Sequence, residues 1–321
     1  MMLAVTFLVL GFILLIYSAS RFVEGSAVVA RYLGMPPLLI GMVVVGFGTS
    51  SPELVVSVTA AANGNSTLAL GNAFGSNIAN IALIIGLVAL INPIIVRSEV
   101  IKKELPILFG ITMLVGWLIS DNQLSRFDAC YLLVAFILVI LWSIFQGMRN
   151  PQDQIANDLK NELNNNIISI KKAIMWLVIG LILLIAASRM LVYGAVYIAQ
   201  GLGISDLVIG LTVVAIGTSL PELASSLVAI KKGENDMALG NIIGSNLFNT
   251  LAVIGLAALV QPMEITPEVI SRDWTLMMAL TLSLLILGIG IKKQGRINRF
   301  EGALLLITFF IYTTYLYYAS F

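Results

Sequence analysis

The chain is 321 residues long, 59% hydrophobic and only 11% charged, with a mean hydropathy of +1.00, a balance that excludes a water-soluble domain and fits a polytopic membrane protein. A net charge of +1 argues against a nucleic-acid partner, and the absence of histidine argues against histidine proton relays. The single cysteine, Cys130, has no mate for an internal disulfide and is expected to pack within a helix.

Apolar stretches long enough to cross about 30 Å of hydrocarbon fall near residues 2–30, 36–62, 67–91, 104–121, 127–147, 172–201, 205–230, 237–260, 273–291 and 298–319, which makes ten. The first ends in YSAS like a cleavable leader, but no positive charge precedes its apolar run, so it reads as a retained span. The second carries GMVVVGFGTSSPE from Gly41 to Glu53, and the third opens on GNAFGSNIAN from Gly71 to Asn80. After the fifth comes a segment rich in Asn, Asp and Gln, Gly147 to Ser169, too short for a folded regulatory domain. The seventh and eighth spans then repeat both polar blocks, with GLTVVAIGTSLPE from Gly210 to Glu222 and GNIIGSNLFN from Gly240 to Asn249, each displaced by 169 residues. Pro93 and Pro262 keep that offset, while RFD at Arg126 and RFE at Arg299 resemble each other at an offset of 173.

Five spans per repeat is an odd number, so the second repeat enters the membrane from the opposite side. The expected fold is an all-α polytopic membrane protein of ten transmembrane helices in two inverted five-helix repeats, residues 1–147 and 172–321, joined by a cytoplasmic linker over 148–171. Positive charge tests the layout, since cytoplasmic loops carry the Lys/Arg excess. One side collects 14 basic residues: Arg31, Arg97, Lys102, Lys103, Arg149, Lys160, Lys171, Lys172, Lys231, Lys232, Lys292, Lys293, Arg296 and Arg299. The other has only Arg126 and Arg272, which puts both termini outside the cytoplasm.

The chemistry sits where the second and seventh helices break. A proline inside a helix removes the hydrogen bond to the carbonyl four residues earlier, so Pro52 frees that of Gly48 and Pro221 that of Gly217, with Thr49 and Thr218 displaced beside them. Unpaired carbonyls at membrane depth are tolerated only against protein or a wet cavity, and a bound cation is expected to satisfy them. One residue after each proline stands an acid, Glu53 or Glu222, and an intramembrane acid is a functional site by default. Hard oxygen ligands with two carboxylates suit a divalent ion such as Ca²⁺. Asn72, Ser76 and Asn80, and likewise Asn241, Ser245 and Asn249, are spaced four apart and are expected to add a neutral polar stripe on one helix face. With Ser50, Ser57, Ser219 and Ser226 they offer flanking sites for a monovalent ion. Gly71, Gly75, Gly240 and Gly244 are expected to let the striped helices approach the broken ones closely.

These paired GTSxPE and GSNxxN blocks, spread over essentially the whole chain, resemble those of prokaryotic members of the sodium/calcium exchanger family, within the calcium:cation antiporters. The resemblance implies Na⁺/Ca²⁺ antiport by alternating access in a prokaryotic plasma membrane, with the first and sixth helices moving. Carried over by motif, the calcium ligands are Glu53, Glu222 and the backbone oxygens of Thr49 and Thr218. The sodium sites are Ser50, Ser76, Ser219 and Ser245 with the backbone oxygens of Gly46 and Ala215, and Asn80 and Asn249 lie beside the central site. Some relatives have an aspartate where Asn249 stands, so this chain carries one negative charge fewer there. Ca²⁺ and Na⁺ are cargo, no cofactor is called for, and no partner beyond the lipid bilayer is evident.

Other readings of the same residues remain open at this point. The two acids can be buried groups held by helix–helix hydrogen bonds, and Ser57, Ser226, Asn72 and Asn241 can be polar glue between helices. The pairs Arg21 with Glu24 and Lys231 with Glu234 read as interfacial anchors. Coupling to protons, or selectivity for another divalent ion, is the nearer functional alternative, since a proton can ride on a desolvated glutamate. A two-carboxylate intramembrane protease is the more distant one. Prolines beside the acids and the surrounding oxygen ligands weigh against it, so the chain is not read as an enzyme.

Overall fold

The computed structural model describes residues 2–96, 100–149, 169–201, 215–289 and 295–319. The Asn-rich linker and the first half of the seventh span, residues 202–214, lie outside them. Among the described residues ten helical segments follow in chain order: α1 (Met2–Tyr32), α2 (37–62), α3 (66–91), α4 (100–118), α5 (Arg126–Arg149), α6 (Ile170–Gly201), α7 (215–231), α8 (235–260), α9 (269–288) and α10 (Arg299–Ala319). Except at the start of α7, which falls outside the described residues, their bounds follow the apolar stretches to within a few residues, because uninterrupted apolar sequence has no way to satisfy its backbone in lipid except as helix. Helix α2 is broken between Pro37–Thr49 and Ser51–Ala62, whose axes differ by 46°.

Two short antiparallel ribbons make the inversion visible. Strand β1 (Ile94–Val96), which follows α3, pairs with β4 (Gly295–Ile297), which precedes α10. Strand β2 (Gln123–Leu124), before α5, pairs with β3 (Met263–Glu264), after α8. At the repeat offsets β1 corresponds to β3 and β2 to β4, so each ribbon joins the two repeats and the two ribbons are images of each other. Three helices precede β1 and eight precede β3, an odd difference, so the ribbons mark opposite faces of the bilayer.

Two pairs of backbone irregularities are duplicated too. Wide π-helical turns occur at Ala79–Ile85 and Asn249–Val253, and at Val100–Glu104 and Val269–Trp274, each pair about 169 residues apart. The RFD and RFE segments prove to be reciprocal helix caps. Ser125 N donates to Asp128 Oδ2 at 2.8 Å at the start of α5, and Asn298 N to Glu301 Oε2 at 2.7 Å at the start of α10.

Burial separates core from perimeter. The apolar windows of α3 and α8 are 72% and 83% buried, against 28% and 22% for α1 and α6, so the motif-bearing helices are the interior and the long ones the lipid-facing wall. Each core helix packs on the last helix of the other repeat, with Gly86 of α3 against Leu306 and Gly302 of α10, and Gly255 of α8 against Leu132 and Leu133 of α5. Helices α1 and α6 run antiparallel in close contact. A methyl group added at Gly25 would stand 2.6 Å from Ala173 O, and one at its counterpart Gly194 would stand 2.8 Å from Ala4 O. Small residues draw membrane helices together in this way. Cys130 lies on α5 and is exposed on the helix surface, not packed as the sequence reading expected.

Candidate functional site

Both acids are buried at the break. Glu53 is 1% exposed and Glu222 0%, each in the first turn of the helix half that follows the bend. The residues that open these halves, Ser50 and Ser219, share one unusual backbone conformation, with φ −83° and ψ 8° for Ser50 and φ −87° and ψ 4° for Ser219. This is the sparsely allowed bridge region, which lets the chain turn by a residue before the proline restarts the helix.

The repeats meet at these breaks. The Ser50 hydroxyl donates to Glu222 Oε1 at 2.7 Å, so a serine of the first repeat holds the acid of the second. Ser245 donates to the Gly46 carbonyl at 3.1 Å, and Thr49 to Asn241 Oδ1 at 3.3 Å. Asn80 donates to Asn246 Oδ1 at 2.9 Å. Within each repeat an asparagine props the acid's own backbone: Asn72 Nδ2 donates to Glu53 O at 3.0 Å, and Asn241 Nδ2 to Glu222 O at 3.2 Å. Asn72 also donates to Ser57, and Asn241 to Ser225 and Ser226. These residues therefore join helices, as the polar-glue reading has it, and in doing so they position the glutamates.

The close approach expected of the glycines is present on the α2–α8 side. A methyl group at Gly46 would lie 2.8 Å from Ser245 N, and methyl groups at Gly240 and Gly244 would strike the Leu38 and Met42 backbones. Gly71 and Gly75 have no such neighbours among the described residues, and the segment equivalent to the α2 half that Gly240 and Gly244 touch, residues 202–214, lies outside them.

Two sequence expectations need correction. The carbonyls that the prolines release do not wait for a cation, because Ser51 Oγ donates to Gly48 O at 2.9 Å and Ser188 Oγ to Gly217 O at 2.6 Å. Hydroxyl groups one turn away or on a neighbouring helix reach them first. Nor do the polar residues of α3 and α8 form one straight stripe, since the π-helical turn at Ala79 widens the helix just before Asn80. Asn80 thus meets Asn246 across the repeat boundary.

What remains unsatisfied is concentrated on the duplicated motifs. Among the described residues, buried atoms without a hydrogen-bond partner include Glu53 Oε2, Glu222 Oε2, Ser219 Oγ, Asn77 Oδ1, Asn80 Oδ1 and both polar atoms of Asn249. An orphaned buried oxygen costs roughly 1–3 kcal/mol, more when charged, so such a group is stabilised by a water molecule or an ion. Thr49, Thr218, Ser50, Ser76 and Ser245 are likewise buried. Ala215 opens the described part of α7. Among the described residues no group of three or more Asp, Glu or Cys gathers to hold a metal, so any cation held here is compensated by two carboxylates and solvated by neutral oxygens.

The sequence reading passed over Asn77, Asn246 and Thr250. Asn77 Nδ2 donates to Thr250 Oγ1 at 2.7 Å, linking α3 to α8. The signal was available, because Asn77 and Asn246 are the third residue of the duplicated GSN.

A cavity of about 540 Å³ opens beside this cluster, lined by Pro52, Val56, Ser188, Arg189, Tyr193 and Thr218 among others. It lies in the second half of α2 and of α6, on the face marked by β2 and β3.

The chain matches the family described as sodium/calcium exchanger protein over residues 3–145 and 172–318. It is 46% identical to the putative antiporter CaxA of Alkalimonas amylolytica, over 100% of both chains, and 41% identical to the inner membrane protein YrbG of Escherichia coli K12, over 100% of this chain and 98% of the relative. The solved structure of the sodium-calcium exchanger NCX_Mj soaked with Na⁺ and Ca²⁺ superposes with a TM-score of 0.83 at 33% identity, covering 96% of this chain and 97% of that one.

Proposed function

Because the chain belongs to the sodium/calcium exchanger protein family of membrane cation antiporters, we propose that it exchanges Na⁺ for Ca²⁺ at one site shared by its two repeats. The observation that carries this reading is the pair of equivalent, fully buried glutamates, each with a carboxylate oxygen that no protein group satisfies. Ca²⁺ bound between Glu53 and Glu222 meets equal and opposite charge, with the backbone oxygens of Thr49 and Thr218 completing a hard-oxygen shell. Na⁺ ions take the flanking positions at Ser50, Ser76, Ser219 and Ser245, with the backbone oxygens of Gly46 and Ala215 and with Asn80 and Asn249 beside them.

Competition for the same carboxylates couples the two fluxes. A site loaded with either ion has its acids neutralised and can be occluded, whereas two bare carboxylates in a low dielectric are costly to enclose. Alternating access then follows from inverted repeats that present equivalent ligands to both faces. The excess of Lys and Arg directs the β1–β4 face to the cytoplasm and both termini away from it.

Uptake of ⁴⁵Ca²⁺ into proteoliposomes under imposed gradients tests the assignment. Outward Na⁺ drives accumulation, K⁺ and H⁺ gradients do not, and raising Na⁺ on the Ca²⁺ side inhibits competitively. Ser76→Ala and Ser245→Ala weaken the Na⁺ dependence about tenfold more than the Ca²⁺ dependence, the range expected for loss of one supporting contact at an ion site. Accumulation that ignores Na⁺ and follows a pH gradient would replace sodium coupling with proton coupling.

A further inference from the structure

The inverted repeat predicts a second cavity, and the place where it belongs is shut. Shifting the open cavity's lining by 169 residues takes Pro52 to Pro221, Val56 to Ser225, Ser188 to Ala19, Arg189 to Ser20, Tyr193 to Glu24 and Thr218 to Thr49. These counterparts lie between α1, α2 and α7 toward the β1–β4 face, and Ala19, Thr49 and Ser225 are at most 1% exposed. Across the closed seam run two charged links. The Lys232 ammonium, in the α7–α8 turn, donates to Ser20 O at 2.9 Å and stands 3.8 Å from Glu24 Oε2 on α1. Glu234 of the same turn pairs with Arg31 at the end of α1 at 2.9 Å, not with Lys231 as its sequence neighbourhood suggested.

The sequence gives the open face no charges for equivalent links. At the repeat offset Glu24 becomes Tyr193, Arg31 becomes Gln200, Lys232 becomes Asn63 and Glu234 becomes Asn65, so every charge is replaced by a neutral group. The duplicated ion-binding blocks have kept their acids in both copies, while these four positions have diverged completely in charge. A link needed only to hold α1 in the fold has no reason to be confined to the closed side of a symmetric molecule.

We propose that Lys232–Glu24 and Arg31–Glu234 are a latch of positioning residues that fastens α1 to the α7–α8 turn, holds the β1–β4 face closed, and biases the transporter toward opening on the β2–β3 face. The side chains are one-fifth to just under one-half exposed, at 34% and 30% for Lys232 and Glu24 and 45% and 20% for Arg31 and Glu234. Burial pulls the Lys232 ammonium below its ordinary pKa while the Glu24 carboxylate pulls it back up. Each pair is therefore screened and individually modest, worth about twofold to fivefold in an equilibrium. That suffices to tilt a transporter whose two states lie within a small energy of each other. The inference rests on the alternating-access part of the proposed function and not on which ions are carried.

Thiol labelling with Na⁺ and Ca²⁺ present on both sides, where the neutralised site lets the two states interchange, reads the bias. In a Cys130→Ser background, Val196→Cys places a thiol in the open cavity and Ala27→Cys places one at its counterpart on the closed face. Impermeant reagent is applied to intact cells and to inverted vesicles, which also reads the orientation of the chain. Lys232→Gln and Glu24→Gln are each expected to slow labelling at position 196 and to speed it at position 27, so that the ratio of the two rates falls by about twofold to fivefold. Lys232→Arg keeps the parent rates, and Arg21→Gln, which removes the nearer partner of Glu24 on α1 itself without touching the seam, leaves them within the same range. Arg31→Gln and Glu234→Gln provide the same reading through the second link if a Lys232 variant fails to fold. Unchanged rates in all four single variants overturn the latch, as does a parallel rise at both thiols, which reports loosening instead of a shifted equilibrium. Absence of Na⁺-driven uptake in the parent protein would instead refute the ion assignment and leave these rates to be judged alone.

Discussion

Glu53→Gln and Glu222→Gln each reduce Ca²⁺ transport by at least about two orders of magnitude while leaving the protein folded. The amide keeps the volume of the carboxylate, and at position 222 it can still accept from Ser50, so packing at the break is preserved. What disappears is half of the negative charge available to a divalent ion in a setting where, among the described residues, no third acid gathers with the pair. The same substitution removes the cost of burying an unpaired carboxylate, so the ion-free variants should melt at or above the wild-type temperature. Uptake of ⁴⁵Ca²⁺ in proteoliposomes and thermal unfolding in detergent read the two effects separately. Wild-type flux in either variant would remove that glutamate from the site.

A single methyl group at Gly244 should be nearly as damaging, for a different reason. The added Cβ would collide with the backbone of Met42, which cannot swing aside as a side chain can, and the two helices must separate. Overpacking of this kind costs about 1–3 kcal/mol. Separation would also draw Ser245 away from the Gly46 carbonyl, so Gly244→Ala should lose both thermal stability and transport. Gly110→Ala, on the outward face of α4 with nothing within 4 Å of the new methyl, serves as the comparison. It should be neutral or slightly stabilising, since alanine is the better helix former. Equal melting temperatures for the two variants would show that the α2–α8 contact is not the tight seam described.

Much of this architecture was legible because membrane helices make polar residues conspicuous. Glu53, Glu222 and the prolines beside them stand out against apolar sequence, and duplication at one offset turns two weak signals into one strong one. The inversion followed from counting spans and basic loops, and the β1–β4 and β2–β3 pairings bear it out. Distances across the fold were another matter. That Arg31 reaches Glu234, 203 residues away, depends on how α1 packs against the α7–α8 turn, and no local pattern encodes it. The bond between Asn80 and Asn246 depends on a π-helical turn that breaks the regular spacing on which a stripe is drawn. Ser51 and Ser188 cap the released carbonyls of Gly48 and Gly217 because a hydroxyl happens to be in reach, something only the folded chain reveals. The ribbons are two or three residues long, too short to carry a strand pattern.

The central claim is that two repeats build one site for which Na⁺ and Ca²⁺ compete. Equilibrium ⁴⁵Ca²⁺ binding to the purified protein, titrated with Na⁺ and repeated on Glu53→Gln and Glu222→Gln, tests it without any need for transport. One Ca²⁺ per chain, displaced by Na⁺ and lost in either variant, is the predicted result. Two Ca²⁺ per chain, with each glutamate variant abolishing only one of them or with Na⁺ displacing neither, would mean that the repeats hold separate sites.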